Sequence, residues 1–185
     1  MTLNWIPNAI TVTRALMTLP LLWLLMNGHY SSAFWLAVLA GSSDALDGMI
    51  AKRYGWQSAL GGILDPIADK LLLTVCFFGL WWAGQLPTWL VAVVLGRDLV
   101  ILAGAFAWWR LLGSFRAAPS GISKVTTLAQ LVLVGLVLAH LAQLDLVPAW
   151  LPPLMLATAA VTVVSGVDYV IRYGLRAWRA RGSRP

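Results

Sequence analysis

Six apolar runs of roughly twenty residues each fill this 185-residue chain and leave little between them. Hydrophobic residues make up 60% and charged residues 11%, where a soluble domain carries about 25% charged residues. The mean hydropathy is +0.80. Such a chain is an integral membrane protein. With no water in a bilayer core, its backbone groups must be satisfied within each segment, so the expected fold is all-α. The expected architecture is a bundle of six transmembrane helices over residues 9–26, 31–52, 61–83, 87–111, 122–141 and 148–173. Pro20 is the expected kink in the first. Residues 1–8 read as a short interfacial segment carrying Trp5 and Pro7. The whole of residues 1–185 reads as one membrane domain, ending in a basic tail over 174–185.

The connections between the runs set an orientation. Residues 27–30, 84–86 and 143–147 contain no Lys or Arg, whereas the other connections hold Lys52, Arg53, Arg110, Arg116 and Lys124. Arg172, Arg176, Arg179, Arg181 and Arg184 cluster at the end. By the positive-inside rule this alternation places both termini in the cytoplasm. The protein is then a multi-pass component of an inner or plasma membrane. Several of the eleven tryptophans fall near run ends, as interfacial belts require.

The net charge of +6 does not indicate a nucleic-acid partner. Basic loops facing anionic headgroups account for it, and no RNA-binding motif or basic aromatic stripe occurs. Cys76 is the only cysteine, which excludes an intrachain disulfide and a cysteine-rich metal site. The first apolar run has its one basic residue, Arg14, inside it, and no small-residue cleavage site follows near Asn27 and Gly28. It reads as a retained span rather than a signal peptide.

Acidic residues are scarce: seven aspartates and no glutamate. Four of them, Asp44, Asp47, Asp65 and Asp69, fall within 26 residues. One carboxylate at the centre of a membrane helix costs about 2.5–3.5 kcal/mol on insertion scales, so four together need compensation. Asp44 and Asp47 are spaced i, i+3 and Asp65 and Asp69 i, i+4, which puts each pair on one helix face. Two facing pairs on successive spans make a cage of hard oxygen ligands suited to Mg²⁺ or Mn²⁺. Without glutamate, paired cysteines or a nearby histidine, zinc is disfavoured. Gly48, Gly61 and Gly62 permit close approach of a ligand, and Lys52, Arg53 and Lys70 add positive charge. Divalent ions, glycines and basic groups together point to a diphosphate-bearing substrate and in-line displacement. The competing reading is a structural lattice in which the aspartates pair with Lys52, Arg53, Lys70 and Arg97.

These residues resemble the signature of the CDP-alcohol phosphatidyltransferase family, D-x2-D-G-x2-A-R-x8-G-x3-D-x3-D. Here it reads Asp44, Asp47, Gly48, Ala51, Lys52, Gly61, Asp65 and Asp69 at the required spacings. Lys52 stands where the family has arginine, which keeps the charge and loses the bidentate fork. Residues 4–14, NWIPNAITVTR, and 64–70, LDPIADK, are similar to phosphatidylglycerophosphate synthases and to eukaryotic-type cardiolipin synthases. Residues 96–100, GRDLV, and 122–127, ISKVTT, lean toward the cardiolipin branch.

The resemblance implies a six-helix membrane enzyme, usually a homodimer, with a cytoplasm-facing site. Asp44, Asp47, Asp65 and Asp69 hold two Mg²⁺ or Mn²⁺ ions, and Asp69 serves as general base. Gly48, Lys52 and Gly61 line the CDP site. The phosphatidyl group of CDP-diacylglycerol passes to a glycerol-type acceptor and CMP leaves. The acceptor is phosphatidylglycerol, giving cardiolipin, or glycerol 3-phosphate, giving phosphatidylglycerophosphate. Serine and inositol phosphate stand as other alcohols for the same chemistry.

Further residues carry two readings each. Asn8, Thr11 and Arg14 reach the donor diphosphate, or serve as a helix cap and an interfacial cation. Arg97, in the fourth span, binds the acceptor phosphate or pairs with Asp98 or a motif aspartate. Lys124 and Arg116 are acceptor-side cations or headgroup anchors. Asp168 and Arg172 form a helix pair. A divalent-cation transporter is the rival from another class; it would spread acids over several helices near the midplane, often with inverted repeats, and neither occurs.

Overall fold

The computed structural model describes the backbone of residues 5–54, 61–112, 121–144 and 148–182, and the side chains within 12–43, 67–110, 121–144 and 149–176. Six α-helices follow one another: α1 (Trp5–Met26), α2 (Tyr30–Tyr54), α3 (Gly61–Trp82), α4 (Thr88–Leu112), α5 (Gly121–Leu141) and α6 (Leu151–Gly182). A single 3-10 turn, Pro148–Trp150, leads into α6. No strand occurs among the described residues. The helices lie where the hydropathy puts them, with two differences at the ends. Residues 5–8 are not a separate interfacial segment, because α1 begins at Trp5. The basic stretch is helical as far as Gly182, well past the expected end of the last span. α1 also continues through Pro20 without interruption.

Three helix ends share one solution to their orphan carbonyls. Gly28 (φ 75°) and Gly84 (φ 72°) adopt the left-handed conformation. The following amides, His29 N and Gln85 N, donate back to Leu24 O at 2.9 Å and Leu80 O at 2.8 Å. Gln143 (φ 61°) does the same at the end of α5, and Leu144 N donates to Ala139 O at 3.1 Å. These are Schellman-type caps, which satisfy carbonyls that lipid could not. All three lie in the connections that lack Lys and Arg.

The helices group into two units. The first comprises residues 1–87 with 134–148. There α1 packs against both α2 and α3. α1 and α3 run parallel, since Arg14 meets Asp69 at one level and Leu25 lies against Gly79 at another. A Cβ added at Gly79 would stand 2.7 Å from Leu25 Cδ1 and 2.9 Å from Leu25 Cβ. The missing side chain is therefore what lets these helices approach, as small residues do in membrane bundles. Leu21, Leu25, Cys76, Phe77 and Leu80 form the buried core of this contact.

The second unit comprises residues 88–133 with 149–185. α4 and α6 run parallel in register: Arg97 bonds Ser165 and Ile101 bonds Tyr169, each pair 68 residues apart. The interior of this unit holds a polar cluster beside apolar residues such as Leu90, Val94 and Leu133. Arg97, Asp98, Thr126, Gln130, Thr158, Thr162 and Ser165 are all buried, while Leu99, Leu102, Phe106, Leu156 and Val164 are exposed. That polarity would be unstable in water and suits lipid, whose tails cover apolar side chains and offer polar ones nothing.

Among the described residues three helices are long and apolar enough to cross a membrane, over Thr88–Arg110, Gly121–Leu141 and Leu151–Arg176. A shorter apolar stretch covers Val12–Met26. The chain is built as a multi-pass membrane protein.

Candidate active site

The first unit carries the acidic motif on two helices. Asp44, Asp47, Gly48 and Lys52 belong to α2. Gly61 is the first residue of α3, which also carries Asp65 and Asp69. Asn8 and Thr11 belong to the opening turns of α1. The side chains at all of these positions except Asp69 lie outside the described residues, and so does the whole of Arg116.

Asp69 is described, and it does not stand alone. The Arg14 guanidinium of α1 donates through Nη1 to Asp69 Oδ1. The Arg14 side chain is 2% exposed and that of Asp69 44%. The guanidinium is buried against protein rather than exposed on the helix surface. It is held there by a carboxylate partner, as intramembrane cations generally are. One turn on from Arg14, Thr18 is also buried and donates to Ala15 O at 2.6 Å. Of the three α1 residues expected at the donor diphosphate, Arg14 is thus placed directly on one member of the acidic set.

No group of three or more His, Cys, Asp or Glu gathers among the described residues, which include only one of the four motif aspartates. The donor chemistry itself fits a hard divalent cation. Four carboxylate positions stand three apart on α2 and four apart on α3. All offer oxygen, which suits Mg²⁺ or Mn²⁺.

The second unit contains Arg97 and Lys124, two of the residues expected on the acceptor side. Arg97 is held on three sides. Nη1 donates to Asp98 Oδ1 at 3.0 Å, and Nη2 donates to Ser123 Oγ at 2.7 Å and to Ser165 Oγ at 2.9 Å. One guanidinium thereby ties α4 to α5 and α6. The pairing with the neighbouring Asp98 is one of those the sequence offered. Lys124 follows Ser123 directly and is exposed. The network continues along the helices: Thr126 donates to Ile122 O at 2.9 Å, and Gln130 Nε2 donates to Thr162 Oγ1 at 3.3 Å. Thr162 in turn donates to Thr158 O at 2.7 Å.

Neither Ser123, inside the segment 122–127, nor Ser165 was singled out as a partner of Arg97 from the sequence. A signal for Ser165 did exist: Thr158, Thr162 and Ser165 recur at i, i+4 and i+7 in an otherwise apolar helix, the period of one buried face. Asp168 and Arg172 form the expected i, i+4 pair, Nε to Oδ1 at 2.6 Å. His29 stacks on Trp23 at 5.7 Å between ring centroids and takes no part in either cluster.

Comparison with known proteins bears on both clusters. The family model described as CDP-alcohol phosphatidyltransferase matches residues 4–165. A cardiolipin synthase (CMP-forming) of Rattus norvegicus is 33% identical over 180 residues, covering 89% of this chain and 60% of the rat protein. A probable phosphatidylglycerophosphate synthase of Mycobacterium tuberculosis is 34% identical over 173 residues, covering 89% of this chain and 79% of its own length. A cardiolipin synthase (CMP-forming) of Streptomyces coelicolor is 42% identical over 104 residues, covering 52% of this chain and 48% of its own. The chain spans 60% and 50% of the length of the rat and human cardiolipin synthases it matches. The matched region takes in the acidic motif on α2 and α3, Arg14 on α1 and the Arg97 cluster, so the chain belongs to the CDP-alcohol phosphatidyltransferase family.

Proposed function

We propose that this chain is a phosphatidyltransferase that moves the phosphatidyl group of CDP-diacylglycerol onto a glycerol-type alcohol and releases CMP. The observation that carries the reading is the placement of the eight-position acidic motif. Its first half lies on α2 and its second on α3, and Asp69 is exposed enough to reach a substrate while paired to buried Arg14.

Asp69 takes the proton of the attacking hydroxyl through a carboxylate oxygen. Arg14, donating from the other side of the pair, fixes the direction of that carboxylate. Asp44, Asp47 and Asp65, with Asp69, hold two divalent ions. When bound, Mg²⁺ or Mn²⁺ neutralises the diphosphate and the charge that departs with CMP. Gly48, Lys52 and Gly61, with Asn8 and Thr11, bind the CDP moiety. In the second unit Arg97, Lys124 and Arg116 supply positive charge for a phosphate on the acceptor.

The acceptor is phosphatidylglycerol or glycerol 3-phosphate. The relatives named above fall in both branches, and the segments at Gly96–Val100 and Ile122–Thr127 lean to the former. One domain, six spans, cytoplasmic termini in an inner or plasma membrane and a homodimer complete the proposal. The test is an acceptor panel. Purified protein is given labelled CDP-diacylglycerol, Mg²⁺ or Mn²⁺, and in turn phosphatidylglycerol, glycerol 3-phosphate, serine and inositol phosphate. CMP release with one of the first two is expected. Release only with serine or inositol phosphate would reassign the acceptor, and no release with any would overturn the reading.

A further inference from the structure

Two arginines at the end of the apolar stretch of α6 stand one helical turn apart with their terminal nitrogens unspent. That stretch ends at Arg176, while the helix runs on to Gly182. Arg172 gives only Nε to Asp168 Oδ1, at 2.6 Å, and its side chain is 55% exposed. Its Nη1 and Nη2 make no hydrogen bond among the described residues. Arg176 is exposed as well. Its guanidinium carbon lies 5.5 Å from the centroid of the Tyr173 ring, and it has no carboxylate partner among the described residues. The Tyr173 ring is itself packed, with centroids 4.4 Å from Tyr169 and 6.0 Å from Trp108.

Residues four apart share a helix face, so these two side chains leave α6 about 5–6 Å apart at Cβ. Like charges at that spacing repel, and the chain has no acidic residue after Asp168 to separate them. An anion held between them removes the repulsion and accepts from the free N–H groups. Phosphate oxygens fit best, because they match the planar guanidinium fork. Asp168 and Tyr173 hold the two arginines in place beforehand, which lowers the ordering cost of binding. Ile171 and Leu175, each one residue before an arginine, form the adjoining row and are 53% and 50% exposed. A phosphate at the arginines with an acyl chain along that row is the outline of a membrane phospholipid. A zwitterionic headgroup would bring an ammonium against two cations, so the charge favours an anionic lipid. The geometry points to the Arg172–Arg176 face of α6 as a binding site for the phosphodiester of an anionic phospholipid, with Asp168 and Tyr173 positioning the two arginines. The site lies wholly in the second unit and goes beyond the phosphatidyltransferase reading, which uses neither arginine.

The experiment titrates full-length protein in a nonionic detergent with phosphatidylmethanol and reads bound lipid by native mass spectrometry. This probe is a monoanionic phosphodiester without a headgroup hydroxyl, so it cannot serve as an acceptor. Phosphatidylcholine and inorganic phosphate are the comparison ligands. The wild-type protein is expected to bind phosphatidylmethanol about 10-fold or more tightly than phosphatidylcholine, the scale of a charge-assisted hydrogen bond. Arg172→Gln combined with Arg176→Gln should weaken phosphatidylmethanol by about 10-fold and leave phosphatidylcholine within about 2-fold. The paired lysine variant should lose less, because the charge stays and only the fork goes. Tyr173→Leu should weaken binding by about 2- to 5-fold, the scale of an exposed cation–π contact. Arg176→Gln alone keeps the Asp168 pair and serves if the double variant does not fold; a loss of about 3-fold or more is expected.

Equal affinity of the wild-type protein for phosphatidylmethanol and phosphatidylcholine overturns the inference. So does a glutamine variant, double or single, that binds phosphatidylmethanol as the wild type does, which would put the lipid elsewhere. Displacement of phosphatidylmethanol by an equal concentration of inorganic phosphate would make this a site for free phosphate and overturn the lipid assignment. The acceptor panel tests the phosphatidyltransferase reading and leaves this site untouched whichever way it falls.

Discussion

Arg14 on α1 donates to Asp69 on α3, joining a side chain that is 2% exposed to one that is 44% exposed. The buried end of the pair is in the apolar bundle, and the open end is the residue expected to take the acceptor's proton. The contact therefore links the parallel packing of α1 and α3 to the direction of the carboxylate proposed as the base. Arg14→Gln should lower turnover by about 10-fold or more, the scale of losing a charge-assisted hydrogen bond. Arg14→Lys should recover part of it, because the charge returns without the planar fork. Turnover near wild type in Arg14→Gln would separate the pair from catalysis.

Removal of divalent ions tests the acidic set as a whole. EDTA should abolish CMP release, and Mg²⁺ or Mn²⁺ should restore it. Asp69→Asn should stay inactive when the ion is returned, with its elution volume unchanged. Activity that survives chelation would contradict a metal role for the four aspartates.

Arg97 makes its three bonds with two nitrogens pointing in different directions. A lysine has one nitrogen and cannot span Asp98, Ser123 and Ser165 together. Arg97→Lys should raise the acceptor KM by about 10-fold and change that of CDP-diacylglycerol by less than about 2-fold. A matching rise in both would show a general loss of packing.

Gly79 has no room for a side chain against Leu25. Gly79→Val should cost about 1–3 kcal/mol through overpacking, seen as a lower midpoint of thermal unfolding in detergent. An unchanged midpoint would mean that α1 and α3 can move apart freely.

Gln143 occupies a left-handed conformation that L residues reach at a cost of about 1 kcal/mol. Its two counterparts, Gly28 and Gly84, carry no such cost. Gln143→Gly should raise the unfolding midpoint, and a fall would show that the glutamine side chain contributes more than the strained backbone takes away.

The helices were legible from hydropathy because lipid imposes one rule on every span: apolar outside and no unsatisfied backbone. The ends were less so. α1 starts at Trp5 and α6 extends to Gly182, since a helix already nucleated continues into flanking polar residues until something stops it. The four aspartates were legible because their spacing from Gly48, Ala51 and Gly61 is itself the signal. For Arg97 the neighbouring Asp98 could be named as a partner, but Ser123 and Ser165 on other helices could not.

The sequence by itself determined that this is a helical membrane protein, which helices carry the acids, and to which reaction class the motif belongs. These follow from composition and spacing along one chain, where neighbours are known in advance. Only the tertiary structure decided that Arg14 meets Asp69 and that Ser123 and Ser165 hold Arg97. Each contact joins helices, 26 to 68 residues apart where they bond. Such contacts are set by helix register and burial in three dimensions, to which local spacing carries no key.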